Sequence, residues 1–221
     1  MKDIRNIQLR ILGFIALLIT PVVVIVSCVI YNFPFPSNIS LTATMPNTVS
    51  PILPFCLGML AIFSISYGLI HNYNLAERLL LFIMGIGFTL VAIQPCYSQY
   101  ITTEYVGVLH LTPSMSHLVH NIGALMGFSS MIVWVLFFFT KSDKPKYKQT
   151  REKRMRNFIY VISSLISTAF LLFSLFKYHT SSVLITEFII LTFCGIAILI
   201  KGGLFLEDMK SFTFDKKLVK T

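Results

Sequence analysis

The sequence predicts an all-α polytopic membrane protein, a bundle of six transmembrane helices, and three observations carry that prediction. Of 221 residues, 55% are hydrophobic and only 12% charged, at a mean hydropathy of +0.77. Soluble domains carry about 25% charged residues, so much of this chain's solvent is expected to be lipid. Six apolar runs come up to or near the roughly 20 residues that a helix needs to cross a hydrocarbon core. The segments between them are short and polar or rich in turn residues. Twenty Phe against a single Trp suits helices whose outer faces meet lipid.

The first run, Gln8–Tyr31, follows the charged segment "MKDIRNIQLR". A signal peptide is the alternative there, and "IVSC" ending at Cys28 resembles a lipoprotein cleavage box. The apolar stretch is longer than the roughly 7–15 residues of a signal-peptide core, which favours a retained first span. Pro21 inside it is expected to kink the helix. The second and third runs are Pro51–His71 and Leu79–Pro95, the third extending toward Ala76. The fourth, His117–Thr140, is preceded by Thr112-Pro113, which reads as an N-cap with Pro at the first helical position. A basic loop over 141–157 leads to the fifth run, Phe158–Lys177. The sixth, Val183–Lys201, leaves a polar tail over 202–221. No internal repeat and no second domain are visible.

Charge placement orients the helices. The formal net charge is +9, and residues 141–156 alone hold eight basic and two acidic side chains. Such a run is the positive-inside signal of a membrane protein, helped by anionic headgroups, rather than a nucleic-acid site. The N-terminal segment, Arg78 and the tail add further Lys and Arg, whereas the 1–2 loop has no charge and the 3–4 loop only Glu104. Both termini are therefore expected in the cytoplasm, of a cell bounded by a plasma or bacterial inner membrane. Lys177, at the outer end of the fifth span, is the one dissenting charge. The four cysteines, Cys28, Cys56, Cys96 and Cys194, form no CxxC and no zinc-finger spacing. Three of them fall near one end of the spans, which leaves open either a disulfide or buried free thiols.

Small residues mark the faces along which helices approach closely. Gly123 and Gly127, followed by Ser130, do so on span four, Gly85 and Thr89 on span three. Ser163/Ser167 and Ser164/Thr168 do so on span five.

Three of the five histidines crowd into "HLTPSMSHLVHN", His110 to Asn121. On a helix begun at Pro113, His117, His120 and Asn121 share one broad face, His120 toward the glycine edge. His120 is thus expected to look into the bundle rather than at lipid, at the start of an outward-opening pocket. Glu187 lies about one turn inside the outer end of span six. A carboxylate in lipid costs roughly 2.5–3.5 kcal/mol at mid-membrane and normally seeks a polar partner. Cys194 and Gly195 continue its face inward, so Glu187 and His120 are expected as neighbours. The same outer mouth collects His110, Glu104, Gln94, His179 and the hydroxyls of "NISLTAT". Simpler readings stand beside this one. A carboxylate near a helix N-terminus is favoured by the helix dipole, and surface histidines are common at membrane interfaces. HxxH is a poor zinc motif, because metalloprotease helices present HExxH. His71, at the cytoplasmic end of span two, cannot join an outer site.

"SNISLTATMP", "GIGFTLVAIQPC" and "SHLVHNIGALMGF" occur in that order across spans two to four. Together they resemble the prokaryotic six-helix membrane family called domain of unknown function 998, and more distantly the DRAM-type autophagy-modulator family. The resemblance implies a six-helix bundle with polar residues at the outer mouth, here Asn38, Ser40, Pro95, His120 and Asn121. It brings no established activity. Leu41 stands where an acidic residue often follows the serine, and Gln94-Pro95 replaces the usual Phe-Pro.

Several chemistries are absent from the sequence: GxSxG, a Walker motif, EExxxR, a redox CxxC and a mid-span lysine for a Schiff base. Three functions remain in view. One is binding of a small ligand, lipid or partner through His117, His120, Asn121, Glu187, Asn38 and Ser40, as a transport or signalling component. Another is a membrane-embedded hydrolase whose zinc is held by His110, His117 and His120. The last is a structural or assembly subunit. Membrane lipid is the expected partner, with a second membrane protein or a copy of this chain as further partners and no nucleic acid.

Overall fold

A computed structural model describes residues 2–30, 52–70, 74–96, 103–142, 149–176 and 180–205. The described chain is all-helical: α1 Lys2–Ile25, α2 Ile52–Ile70, α3 Leu75–Ile93, α4 Pro113–Val133, α5 Arg151–Phe176 and α6 Thr180–Lys201. Helices α1 and α4 each run on into a π-helical turn, over Val26–Ile30 and Trp134–Phe138. All six elements are long and apolar enough to cross a membrane, so this is a multi-pass membrane protein.

Apart from α2, the helices begin earlier than hydropathy alone predicts, because a helix propagates through polar residues that its backbone tolerates. Helix α1 starts inside the charged N-terminal segment. Helix α3 starts at Leu75 because Asn74 caps it, its side-chain oxygen accepting from the Glu77 N–H at 2.8 Å. The expected basic loop is helical from Arg151 onward, where the Thr150 hydroxyl accepts from the Lys153 N–H at 3.1 Å. Pro21 sits inside α1, which continues to Ile25 before changing to the π turn.

Chain neighbours pack as antiparallel hairpins, α2 on α3, α3 on α4 and α5 on α6, and α1 packs against both α2 and α6 to close the bundle. Apolar side chains cover both surfaces. Leu12, Ile19, Leu60, Leu81, Met84, Ile190 and Ala197 are buried, whereas Phe55, Ile62, Leu79, Leu118, Phe158 and Leu165 point outward. Outward apolar stripes are what lipid-facing helices require.

Close packing depends on the small residues. A Cβ added at Gly87 of α3 would lie 2.5 Å from the Gly127 nitrogen and 2.7 Å from the Gly123 oxygen of α4, so the two backbones touch. Gly13 of α1 and Gly195 of α6 make a similar crossing. The serines of α5 serve the same purpose with hydrogen bonds. Ser164 reaches the Ile132 carbonyl at 3.5 Å, and Ser167 contacts the Cys194 thiol at 3.7 Å.

The glycine contact makes a specific prediction. Gly87→Ala forces two backbones apart and should cost about 1–3 kcal/mol, as overpacking does. Gly58→Ala meets nothing within 4 Å and should be neutral or stabilising by up to about 1 kcal/mol. Thermal unfolding of the purified protein in detergent measures both; equal losses would mean that this contact is not limiting.

Candidate functional site

The bundle has a terminal end, where α1 begins and α6 finishes, and a distal end, where α3 meets α4 through residues 94–112. Polar side chains are buried at both.

At the distal end, α3 stops at Ile93 and the chain turns back through a small hairpin. Val106 and Leu111 pair across it, N–H to carbonyl, at 2.8 and 3.2 Å. The Val108 N–H donates to the Ile93 carbonyl at 3.0 Å, which occupies one acceptor that the helix end leaves over. Gly107 has φ +72°, and a methyl group there would run into the Gln94 side-chain oxygen. Only glycine allows both the left-handed backbone and this close seat. His110 closes the turn at φ 49° and is exposed.

Under the hairpin lie Gln94, Cys96, Ser116 and His120, each no more than 5% exposed. The Ser116 hydroxyl sits 2.8 Å from the Pro95 carbonyl and 3.1 Å from the Gln94 side-chain oxygen. His120 Nδ1 is 2.7 Å from the Gln94 carbonyl. A carbonyl only accepts, so Nδ1 carries the hydrogen, and in the neutral ring Nε2 keeps the lone pair. The Gln94 side-chain nitrogen is buried with no hydrogen-bond partner. A buried amide nitrogen left so is a donor waiting for an acceptor.

The sequence-predicted residues separate here. His120 is inside, against α3, and Asn121 is exposed. The Asn121 side chain donates to His117 Nε2 at 3.1 Å, on the outer side of the helix. His110, His117 and His120 therefore do not converge, and among the described residues no three His, Cys, Asp or Glu side chains form a metal site. The four cysteines are free thiols. Asn38, Ser40, His71 and His179 lie outside the described residues.

Glu187 faces inward. It lines a cavity of about 20 Å³ whose other walls are apolar, among them Ile19, Leu57, Phe88, Ala124 and Phe128. Five helices, α1 to α4 and α6, contribute to it. Ala124, which shares the cavity wall with Glu187, is one turn along α4 from His120. The cavity has room for about one water. Beyond the span, the Cys96 thiol is pushed up to about 12, first by burial and then by the Glu187 charge, which reaches it.

The terminal end holds a second cluster that sequence reasoning missed. Glu77, in the first turn of α3, is buried, and its Oε1 accepts from the Trp134 indole N–H at 2.9 Å. Trp134 stands edge-on to Tyr67 and Phe139, with ring centres 5.4 and 4.6 Å away, and Phe139 meets Tyr160 at 5.4 Å. Arg10 caps α6, donating to the Gly202 and Gly203 carbonyls at 2.9 Å each. The signal available in sequence was the chain's only Trp, together with an Asn-x-x-Glu helix start.

Comparison with protein families, with curated proteins and with solved structures finds no match to this chain. The resemblance drawn above thus rests on its quoted motifs alone.

The distal seal can be tested through Cys96. Burial holds the thiol protonated well above its ordinary range, so it should resist maleimide in the folded protein. His120→Ala leaves the Gln94 carbonyl unpartnered. It should cost about 1–3 kcal/mol and raise Cys96 labelling, whereas exposed Asn121→Ala should change stability by no more than about 0.5 kcal/mol. Mass spectrometry of labelled peptides reads the outcome; equal labelling in the two variants would show that His120 does not hold the hairpin down.

Proposed function

We propose that this is a membrane protein that binds a small ligand from the distal side, through a mouth closed by the 106–111 hairpin, as a transport or signalling component. The ligand class is an apolar molecule that carries a cation or a hydrogen-bond donor. The observation that supports this most is Glu187, a carboxylate on the wall of an otherwise apolar cavity shared by five helices. Ionisable groups inside a membrane bundle are costly to keep and are by default candidates for function. The unpartnered Gln94 amide at the mouth adds a donor for a polar acceptor on the same molecule. Its small volume means that the cavity takes a ligand only when the hairpin and the ends of the helices open. The resemblance to the six-helix family of unknown function points to the same end of the bundle.

The distal side is, on this reading, the outside of the cell, because the terminal end bears Arg5, Arg10, Arg78 and the basic start of α5. A reporter fused after Arg156 should read cytoplasmic, and one inserted near Thr103 external. The reverse result would put the mouth on the cytoplasmic face.

Glu187→Gln is the direct test of the binding site. Removing the charge while keeping the shape should lower the amount of any co-purified small molecule or lipid at least about tenfold, which corresponds to roughly 1.4 kcal/mol. Native mass spectrometry of the two proteins gives that comparison. Equal occupancy, or no bound molecule in either, would overturn the assignment.

A further inference from the structure

We infer that the terminal end of the bundle binds the phosphate of an anionic phospholipid headgroup, held by Lys201, Lys153 and Arg5. This site is separate from the distal mouth and does not depend on it.

The geometry begins with one carbonyl. Where the π turn after α4 ends, the Phe139 oxygen accepts from Lys153 Nζ and from Lys201 Nζ, each at 3.3 Å. Lys153 also reaches the Lys141 carbonyl at 3.4 Å. Basic side chains at a helix C-terminus are ordinary capping groups. Two ammonium groups sharing one neutral oxygen bring like charges close together, an arrangement that an anion between them would stabilise. Arg5 and Arg156 also act electrostatically on Lys201, and the carboxylate acting on it is Glu77. That carboxylate has already given Oε1 to the Trp134 indole. Among the described residues, positive charge from α1, α5 and α6 is thus gathered at one place, around the Phe139 carbonyl.

Unpartnered polar atoms point the same way. Arg5 Nε and the Tyr160 hydroxyl are buried without a hydrogen-bond partner, and Tyr160 is only 1% exposed. Tyr160 packs edge-on against Phe139, the residue whose carbonyl joins the two lysines. Guanidinium, ammonium and phenol are all donors toward an oxyanion, and a phosphate has enough acceptor oxygens to take several of them.

The surroundings select a lipid rather than a free ion. Lys201 is the last residue of its span, which is the level of the headgroups. Beside Arg5, α1 turns Ile4, Ile7 and Ile11 outward, a strip along which an acyl chain can lie. A headgroup phosphate at Lys201 with its chains on that strip satisfies both the charge and the apolar surface. Basic pockets between helix ends commonly take acidic lipids in this way.

The test uses the full chain, purified in neutral detergent, with three probes: phosphatidylglycerol, phosphatidylcholine and inorganic phosphate. Phosphatidylglycerol should raise the thermal midpoint and remain bound in native mass spectra, and the other two should do neither. Lys153→Gln and Arg5→Gln should each weaken retention about fivefold, the effect of roughly 1 kcal/mol per basic group at an anionic surface. Lys201→Gln should do the same if it folds, and the first two variants decide the matter if it does not. Arg151→Gln and Arg154→Gln, exposed on α5, serve as controls and should leave retention nearly unchanged. Stabilisation by inorganic phosphate to the same extent would replace the lipid with a free anion. Losses no larger than those of the controls would reduce the cluster to a diffuse basic surface and overturn the site.

Discussion

The contact of Gly87 with Gly123 and Gly127 sets the register of α3 on α4, and both polar ends of the bundle follow from it. The helices are antiparallel, so moving outward from Gly87 along α3 means moving back toward the start of α4. Two turns in that direction, Gln94 arrives over Ser116 and His120. About three turns the other way, Glu77 arrives beside Trp134. Backbone contact leaves little freedom to slide, and a slip of one turn would separate both pairs at once. A buried carboxylate and a buried imidazole are tolerable in this fold because a packing contact at the middle of the span fixes where their partners stand.

Hydrocarbon surroundings explain the division of labour along each helix. Away from the ends, the described polar side chains mostly return to the helix backbone or bridge to the next helix. Ser64, Thr89 and Thr168 bond to carbonyls one turn back, and Thr186 bonds across to Phe170. These bonds satisfy the hydroxyl locally and ask nothing of the solvent. Glu187 instead lies on the wall of a cavity whose other lining residues are apolar.

Much of the fold was legible in the sequence because hydropathy and span length are local properties. The six spans, the inward glycine edge of α4 and the inward turn of His120 followed from composition and a period of 3.6. Helix starts were less legible. Asn74 and Thr150 begin α3 and α5 through polar caps that a hydropathy window counts as loop. The site was legible only where one helix carried it. His120 could be placed on its face, but its partner, the Gln94 carbonyl, is a backbone atom that side-chain chemistry does not reveal. The Glu77–Trp134 bond and the lysines on Phe139 join α3, α4, α5 and α6 across long stretches of chain. No spacing rule connects such residues. The expected zinc ligands do not gather into a three-ligand group among the described residues, and the His117 ring is bonded to Asn121, a pairing that spacing alone does not reveal.

Trp134 gives the molecule a built-in optical reporter. It is the only indole in the chain, fully enclosed, and its N–H is committed to one carboxylate. Its emission therefore has a single origin and needs no label. Enclosed among Tyr67 and Phe139, the ring should fluoresce in the blue, and water admitted beside Glu77 would move the band to the red. Any event that rearranges α3 against α4 can thus be followed in unmodified protein, in real time, by light.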